Sequence, residues 1–416
     1  MQATLKSFAV VALAVMGFAQ QAWAIPAFAR KYRVSCMQCH APVPRLNAFG
    51  EVFAANGFEF AVGEPPRDTA NTGDPLLRLQ NDLPLAVRLD AYVRAQNKPT
   101  AGQNSIDLQT PWVIKLLSGG QVADKISYYM YFLLSERGEV AGLEDAYVQF
   151  TDVMESGVSL IVGQFQVSDP LFKRELRLEY EDYQPYRVRV GLAAADLTYD
   201  RGLMALWSPR EGTDLAVAAV AGRGLNTASG NRQYDTEDAK STLVRLSQDI
   251  GSFRIGGFAY RGYERDFGTR NTITMWGPDA TVPLASFGEL NASFVRRVDR
   301  DPFFSTCSVA NPCPGNAVVP FETTVNSGFA EAILWPQGPN GRVYFTALYN
   351  WIDSDRPVVS LRLGEQNVGS GYLSTYQTAS AGVHYLHRRN VRMMGELGWD
   401  LEREQMRLVL GTMFAF

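Results

Sequence analysis

The chain is expected to be all-β: an antiparallel transmembrane barrel of sixteen strands, preceded by a small α-helical segment. Three observations predict this. Segments of about ten residues alternate apolar with polar positions, connections are short after even-numbered strands and long after several odd-numbered ones, and the last alternating strand ends on an aromatic residue, Phe416.

The first two dozen residues stand apart from that pattern. A basic start at Lys6, an apolar run from Phe8 to Phe18 and the small-residue end Ala22-Trp23-Ala24 form a secretory signal, 1–24, so that Ile25 begins the exported chain. The apolar run is too short for a helical span, and no other stretch approaches the roughly 20 apolar residues a helix needs to cross a bilayer. Any membrane crossing must therefore use strands.

The alternation begins at Leu85. Leu85, Val87, Leu89, Ala91 and Val93 would face lipid, with Arg88, Asp90, Tyr92 and Arg94 turned inward. Ile126, Tyr128, Met130, Phe132 and Leu134 repeat the pattern, with Ser127, Tyr129, Tyr131 and Ser135 opposite. The expected strands are 85–94, 111–118, 126–135, 143–151, 158–164, 200–207, 213–221, 240–248, 252–262, 271–281, 286–296, 327–335, 341–352, 377–386, 391–400 and 405–416. Connections after even strands are short, as at 249–251 and 387–390, whereas 165–199, 222–239, 297–326 and 353–376 are long. An even count with short turns on one side leaves both barrel ends in the periplasm and makes outer-membrane lipid the surrounding partner. The loop 165–199 carries mixed charge, including Lys173, Arg174, Glu175, Arg177, Glu179, Glu181, Asp182, Arg187 and Arg189. It either folds inward to narrow the lumen or stays a solvated surface loop.

Charge limits the partners further. Loss of the one cation in the signal, Lys6, takes the formal charge from −4 to −5. A weak acidic excess without a basic patch excludes nucleic acid.

Four cysteines are present. Cys307 and Cys313 enclose a Pro- and Asn-containing loop, where an exported chain is expected to form a disulfide. The other two lie in Cys36-Met37-Gln38-Cys39-His40, the spacing that attaches a haem c through two thioethers with the adjacent His as iron ligand. A thiol redox pair or half a zinc site are the rivals, but neither requires the following His. Beyond the motif, Pro44 is expected to open a helix whose face carries Leu46, Phe49, Val52 and Phe53 before Gly57 ends it, a face suited to covering a haem edge. Arg30, Lys31, Arg33 and Arg45 are candidates to pair with haem propionates. The chain thus divides into the signal, 1–24, a haem segment, 25–60, a Pro- and Gly-rich linker, 61–84, and the barrel, 85–416. A segment of a few tens of residues cannot enclose a core alone, so it should lean on the barrel or plug its mouth.

A sixth iron ligand is not evident in the segment. By strand parity His384, Met394 and Met413 point inward, near the periplasmic end, and are the candidates from the barrel for a six-coordinate iron, the alternatives being a five-coordinate iron or another donor.

Pro26-Ala27-Phe28-Ala29-Arg30, the haem motif, and then Pro44, Leu46, Phe49-Gly50, Phe53 and Gly57 together resemble the N-terminal pattern of the fused monohaem cytochrome c-porins of bacterial outer membranes. The best-known members are iron(II)-oxidising outer-membrane cytochrome-porins. In detail the resemblance covers about the first tenth of the exported chain, and otherwise architecture alone. It implies that Cys36 and Cys39 hold the haem, that His40 is the proximal ligand, and that electrons pass from an extracellular donor, Fe(II) in its sharpest form, to a periplasmic c-type cytochrome. Ala41 and Glu51 depart from the family pattern, where a polar and a basic residue are usual, and this bears on the donor more than on the architecture. The competing functions are an outward conduit to an external acceptor and a passive porin with a haem-bearing plug.

Overall fold

In the computed structural model the described residues are 27–65, 69–74, 76–81, 83–99, 103–235, 237–266, 269–303, 321–361 and 372–416. The signal, and Cys307 and Cys313 with their expected disulfide, lie outside them. Among the described residues, strands in chain order are β1 (Leu85–Gln96), β2 (Ile106–Ala123), β3 (Ile126–Glu136), β4 (Gly142–Phe150), β5 (Val158–Gln166) and β6 (Val188–Val190). They continue with β7 (Tyr199–Arg210), β8 (Thr213–Val220), β9 (Ser241–Ile250), β10 (Phe253–Asp266), β11 (Thr269–Pro283) and β12 (Gly288–Asp299). The last are β13 (Thr323–Leu334), β14 (Val343–Ser354), β15 (Val359–Leu361), β16 (Thr375–Arg388), β17 (Val391–Asp400) and β18 (Gln405–Ala415).

All of these except β6 and β15 form a closed barrel of sixteen antiparallel strands, sealed where β1 pairs with β18. Closure leaves no strand edge, so every backbone polar group in the wall can be satisfied without water. The alternation predicted from sequence is seen directly in β9. Leu243, Arg245 and Ser247 are buried inside, Arg245 on Asp279 of β11, while Val244 and Leu246 are exposed outside. A strand with this pattern can turn only one face to a polar interior.

The sixteen expected segments all correspond to barrel strands, and the differences lie at their ends. β2 starts at Ile106, five residues before the expected start at Pro111. Pro111 sits where the pairing with β1 slips, between Asp90↔Val113 and Tyr92↔Gln109. A residue without an N–H is tolerated inside a strand at such a bulge. β10 and β11 also run further than expected, and pair as far as Asp266↔Thr269.

The loop between β5 and β7 folds inward. Tyr183 stacks on Phe329 of β13 with ring centroids 4.3 Å apart, and its hydroxyl donates to Glu331 at 2.6 Å. The Tyr186 hydroxyl reaches Ser293 of β12 at 3.0 Å, Glu181 pairs with Arg407 of β18 at 2.6 Å, and Glu175 pairs with Lys115 of β2. The loop thus touches opposite walls of the lumen. Its short strand β6 then pairs with β15 from the connection between β14 and β16. Much of the barrel interior is a packed core, in which Phe165, Phe172, Tyr183, Tyr186 and Leu197 meet wall residues such as Leu243, Tyr260 and Phe329.

Among the described residues two α-helices precede the barrel, α1 (Ala27–Tyr32) and α2 (Ala48–Ala55). The second begins four residues later than expected. Asn47, not Pro44, precedes it: the Asn47 side chain accepts from Gly50 N at 2.9 Å, which satisfies one of the free donors of the first turn. Phe53 turns into a core with Tyr32 and Phe58, whereas Phe49 and Val52 are 36% and 56% exposed, so the helix leaves part of its apolar surface uncovered.

Candidate functional site

The motif is built on a tight turn. Ser35 Oγ accepts from Met37 N, opening a 3-10 turn over Cys36–Gln38, and the Cys36 carbonyl accepts from both Cys39 N (3.2 Å) and His40 N (2.9 Å). The two thiols are therefore one turn apart. Both are free and partly buried. Burial pushes both thiols up, against the lowering effects of a backbone hydrogen bond and Arg389 at Cys36, and with added repulsion from Cys36 at Cys39. Among the described residues no group of three or more His, Cys, Asp or Glu could hold a metal ion.

His40 is oriented by the chain that follows it. Its Nδ1 lies 2.7 Å from the Pro44 carbonyl oxygen. A carbonyl only accepts, so Nδ1 carries the proton and Nε2 keeps its lone pair. Burial pushes the imidazole down, towards its neutral form, against the opposing backbone hydrogen bonds to Pro44 and Arg45. Neutral, with one nitrogen fixed by a carbonyl, is the state in which His binds iron.

Residues after the motif hold this arrangement. Asn47 N donates to the Cys39 carbonyl at 2.9 Å, and Asn47 Nδ2 donates to the carbonyls of Met37 (3.3 Å) and Gln38 (3.1 Å). Gly50 lets α2 approach: a Cβ there would stand 2.2 Å from the Cys39 carbonyl oxygen. Sequence reasoning missed Asn47. Its signal was a cap residue placed before Ala48-Phe49-Gly50-Glu51.

The segment is seated in the short-turn end of the barrel. Phe58 stacks on Tyr129 of β3 at 5.2 Å, and Gln149 of β4 donates to the Ala55 carbonyl at 2.6 Å. On the far wall Arg45 pairs with Glu289 of β12 and Glu331 of β13, each at 2.9 Å. Val43 packs on Trp335, Tyr344 and Leu386, together with Leu178 of the inward loop. Glu51 pairs with Lys173 of that loop at 2.8 Å. The segment therefore crosses the mouth from wall to wall and meets the loop inside it. Arg45, expected among the cations for a propionate, is committed to these two glutamates, and Arg30 donates to the Leu85 carbonyl at 2.8 Å.

His384, Met394 and Met413 all face inward, as strand parity predicts, and are 0%, 7% and 7% exposed. His384 Nε2 lies 3.0 Å from Thr346 Oγ1, Met394 packs with Tyr92 and Val409, and Met413 stands opposite Asp90 and Arg392. Their partners are barrel residues, and the contacts of the motif do not bring the three to it.

A cavity of about 480 Å³ lies between the inward loop and the wall. It runs from Gln96, Glu136 and Gln405 at the long-loop end to Arg88 and Arg392 near the short-turn end. Most of its charges are paired. Asp182 binds Arg174 and, at 2.7 Å, Arg187, and Asp90 takes Arg88 at 2.9 and 2.7 Å.

Solved structures share this architecture. An anion-selective porin from Comamonas acidovorans superposes with a TM-score of 0.55 at 11% identity, covering 80% of this chain and 98% of the porin. The fold is porin-like. A loop-deletion mutant of OmpT, an outer membrane protein of Vibrio cholerae, gives 0.52 at 8% identity, with 80% and 98% of the chains covered. OmpF of Salmonella typhi in complex with daunomycin gives 0.51 at 10% identity, with 80% and 97% covered. Neither a family model nor a curated protein sequence matches the chain. The 80% in common leaves room for the N-terminal segment as an addition to the porin-like barrel.

Proposed function

We propose that the protein is an outer-membrane electron carrier. In it one c-type haem, attached through Cys36 and Cys39 and ligated by His40, passes electrons between an extracellular donor, Fe(II), and a periplasmic c-type cytochrome. The observation that carries this is the His40–Pro44 hydrogen bond, 2.7 Å long, which fixes the imidazole with Nε2 available beside two free thiols one turn apart. When bound, the haem supplies a one-electron redox centre whose potential is set by its ligands and burial.

The remaining roles belong to the chain. Short turns mark the periplasmic end of porin-like barrels, so the segment wedged among them faces the periplasm and its partner cytochrome. The exposed Phe49 and Val52 offer apolar surface to a haem edge. The apolar belt of such a barrel is about 25 Å tall, which one haem cannot span, and the cavity descending from the long-loop end provides the approach for the donor. Of the three inward candidates for a sixth ligand, His384 has a buried ring nitrogen, Nδ1, without a hydrogen-bond partner among the described residues. Passive diffusion is the weaker account, because the inward loop crosses the lumen and the segment occupies its mouth.

The test is to add Fe(II) to the purified, oxidised protein and follow the haem absorbance. Reduction to the ferrous spectrum is expected. A protein without a covalent haem, or a haem that Fe(II) leaves oxidised, would sink the proposal, the second outcome favouring the outward conduit.

A further inference from the structure

Arg392 lies at the floor of the lumen cavity and forms no ion pair among the described residues. It is inward on β17, 4% exposed, and lines the cavity beside Arg88 and Tyr92. Its Nε and Nη1 are fully buried without a hydrogen-bond partner, and Arg392 forms no ion pair among the described residues. Asp90 and Glu396 are otherwise engaged, and Glu179 forms no ion pair with Arg392 among the described residues. Asp90 is held by Arg88 through two hydrogen bonds of 2.9 and 2.7 Å. Glu396 accepts from the backbone of Tyr180 and Glu181, and Glu181 pairs with Arg407. Glu179 is in the inward loop, buried, with neither carboxylate oxygen partnered. Burial, then the nearby charges of Glu331 and Glu396, push its carboxyl well up.

A guanidinium cannot shed its proton, and an isolated buried charge costs several kcal/mol unless it is paired. Water in the cavity would satisfy the N–H groups but not the charge. An anion would satisfy both. The planar N–H fork of Arg is matched by two oxygens of one anion, which favours an oxyanion over a halide.

We propose that the floor of the lumen cavity is a binding site for a small tetrahedral oxyanion, phosphate or sulfate, held by Arg392. The anion enters from the long-loop end and neutralises the cavity at its deepest point. The site depends on the barrel and the inward loop, not on a haem.

Equilibrium binding of labelled sulfate and labelled phosphate to the full-length, folded protein in detergent tests this. The wild type is expected to bind one oxyanion per barrel at millimolar concentration or below, each competing with the other and chloride competing poorly. Arg392→Gln should weaken binding about tenfold or more, the loss expected for a charge-assisted hydrogen-bonding group. That variant removes an unpaired buried charge, so the barrel should fold, and its heat-modifiable migration on a gel checks this. Absence of saturable binding to the wild type would overturn the proposal without recourse to any variant. So would binding that Arg392→Gln leaves unchanged, or equal affinity for chloride.

Discussion

Gly50 lies so close to Cys39 that a Cβ on it would stand 2.2 Å from the Cys39 carbonyl oxygen. That oxygen already accepts from Asn47 N at 2.9 Å, so it cannot swing away without losing the bond that joins the motif to α2. Gly50→Ala should therefore push the helix off the motif, at the cost of about 1–3 kcal/mol typical of an overpacked contact. Limited proteolysis in the segment should become faster while the barrel stays folded. Covalent haem, read by its absorbance and by staining of the denatured chain, should be reduced. Unchanged proteolysis would show that the contact relaxes freely.

Arg45 is the tie between the segment and the far wall. Glu331, its partner, is wholly buried and also accepts from Tyr183 and Asn291. Arg45→Met leaves that carboxylate without its cation, a change worth about 3–5 kcal/mol for a buried pair. Hydrogen exchange in residues 27–60 should rise sharply. The double variant Arg45→Met/Glu331→Gln should recover part of the loss, because it removes the orphaned charge. Additive effects of the two substitutions would rule out the coupling.

Tyr183 pins the inward loop. Truncation to Ala removes a stacked ring 4.3 Å from Phe329 and the hydroxyl bonded to Glu331, and large aromatic-to-Ala losses in a core cost about 3–5 kcal/mol. The loop should loosen from the wall. Ion conductance of the protein in planar bilayers, expected to be low for the wild type, should rise in Tyr183→Ala.

Acid should release the same loop only at low pH. Burial alone would raise the Asp182 carboxyl, but Arg174, Arg177 and Arg187 outweigh it and hold it well below the ordinary range. A depressed folded value means that the stabilisation is fully present above the unfolded value of about 3.9, and is lost as pH falls through the folded one. Conductance should therefore stay low at pH 4 and increase only in stronger acid. Asp182→Asn, which leaves the three guanidinium groups without their counter-charge, should raise it at neutral pH.

The proposed haem site predicts that attachment and ligation can be separated. Cys36→Ser should leave at most one thioether, and His40→Ala should retain covalent attachment but alter the spectrum. Single Ala variants of His384, Met394 and Met413 should leave attachment intact, and the one that supplies a sixth ligand should change the spectrum. Three unchanged spectra would remove the barrel as its source.

The sequence by itself determined the barrel wall. Period-2 alternation is forced by a wall with lipid on one side and polar groups on the other, so Arg245 inside and Leu246 outside were legible residue by residue. Strand count, the asymmetry of the connections and the inward parity of His384 followed from the same rule. The spacing from Cys36 to His40 likewise carried the proposed haem attachment within five residues. What lay beyond the sequence was everything set by contacts between distant parts of the chain. Pro44 looked like a helix start, yet its carbonyl orients His40, because Asn47 caps the helix and Gly50 lets it close on Cys39. Arg45 looked available to a ligand, yet it pairs with Glu289 and Glu331, more than two hundred residues away in the chain. The loop with Glu179 and Asp182 was compatible with lumen or surface. Only the packing of Tyr183 on Phe329 decided that it turns inward, since an apolar ring is buried by whichever surface the closed barrel brings opposite it. Arg392 is the clearest case: its sequence position says only that it faces in, and only the tertiary structure shows that no described residue forms an ion pair with it.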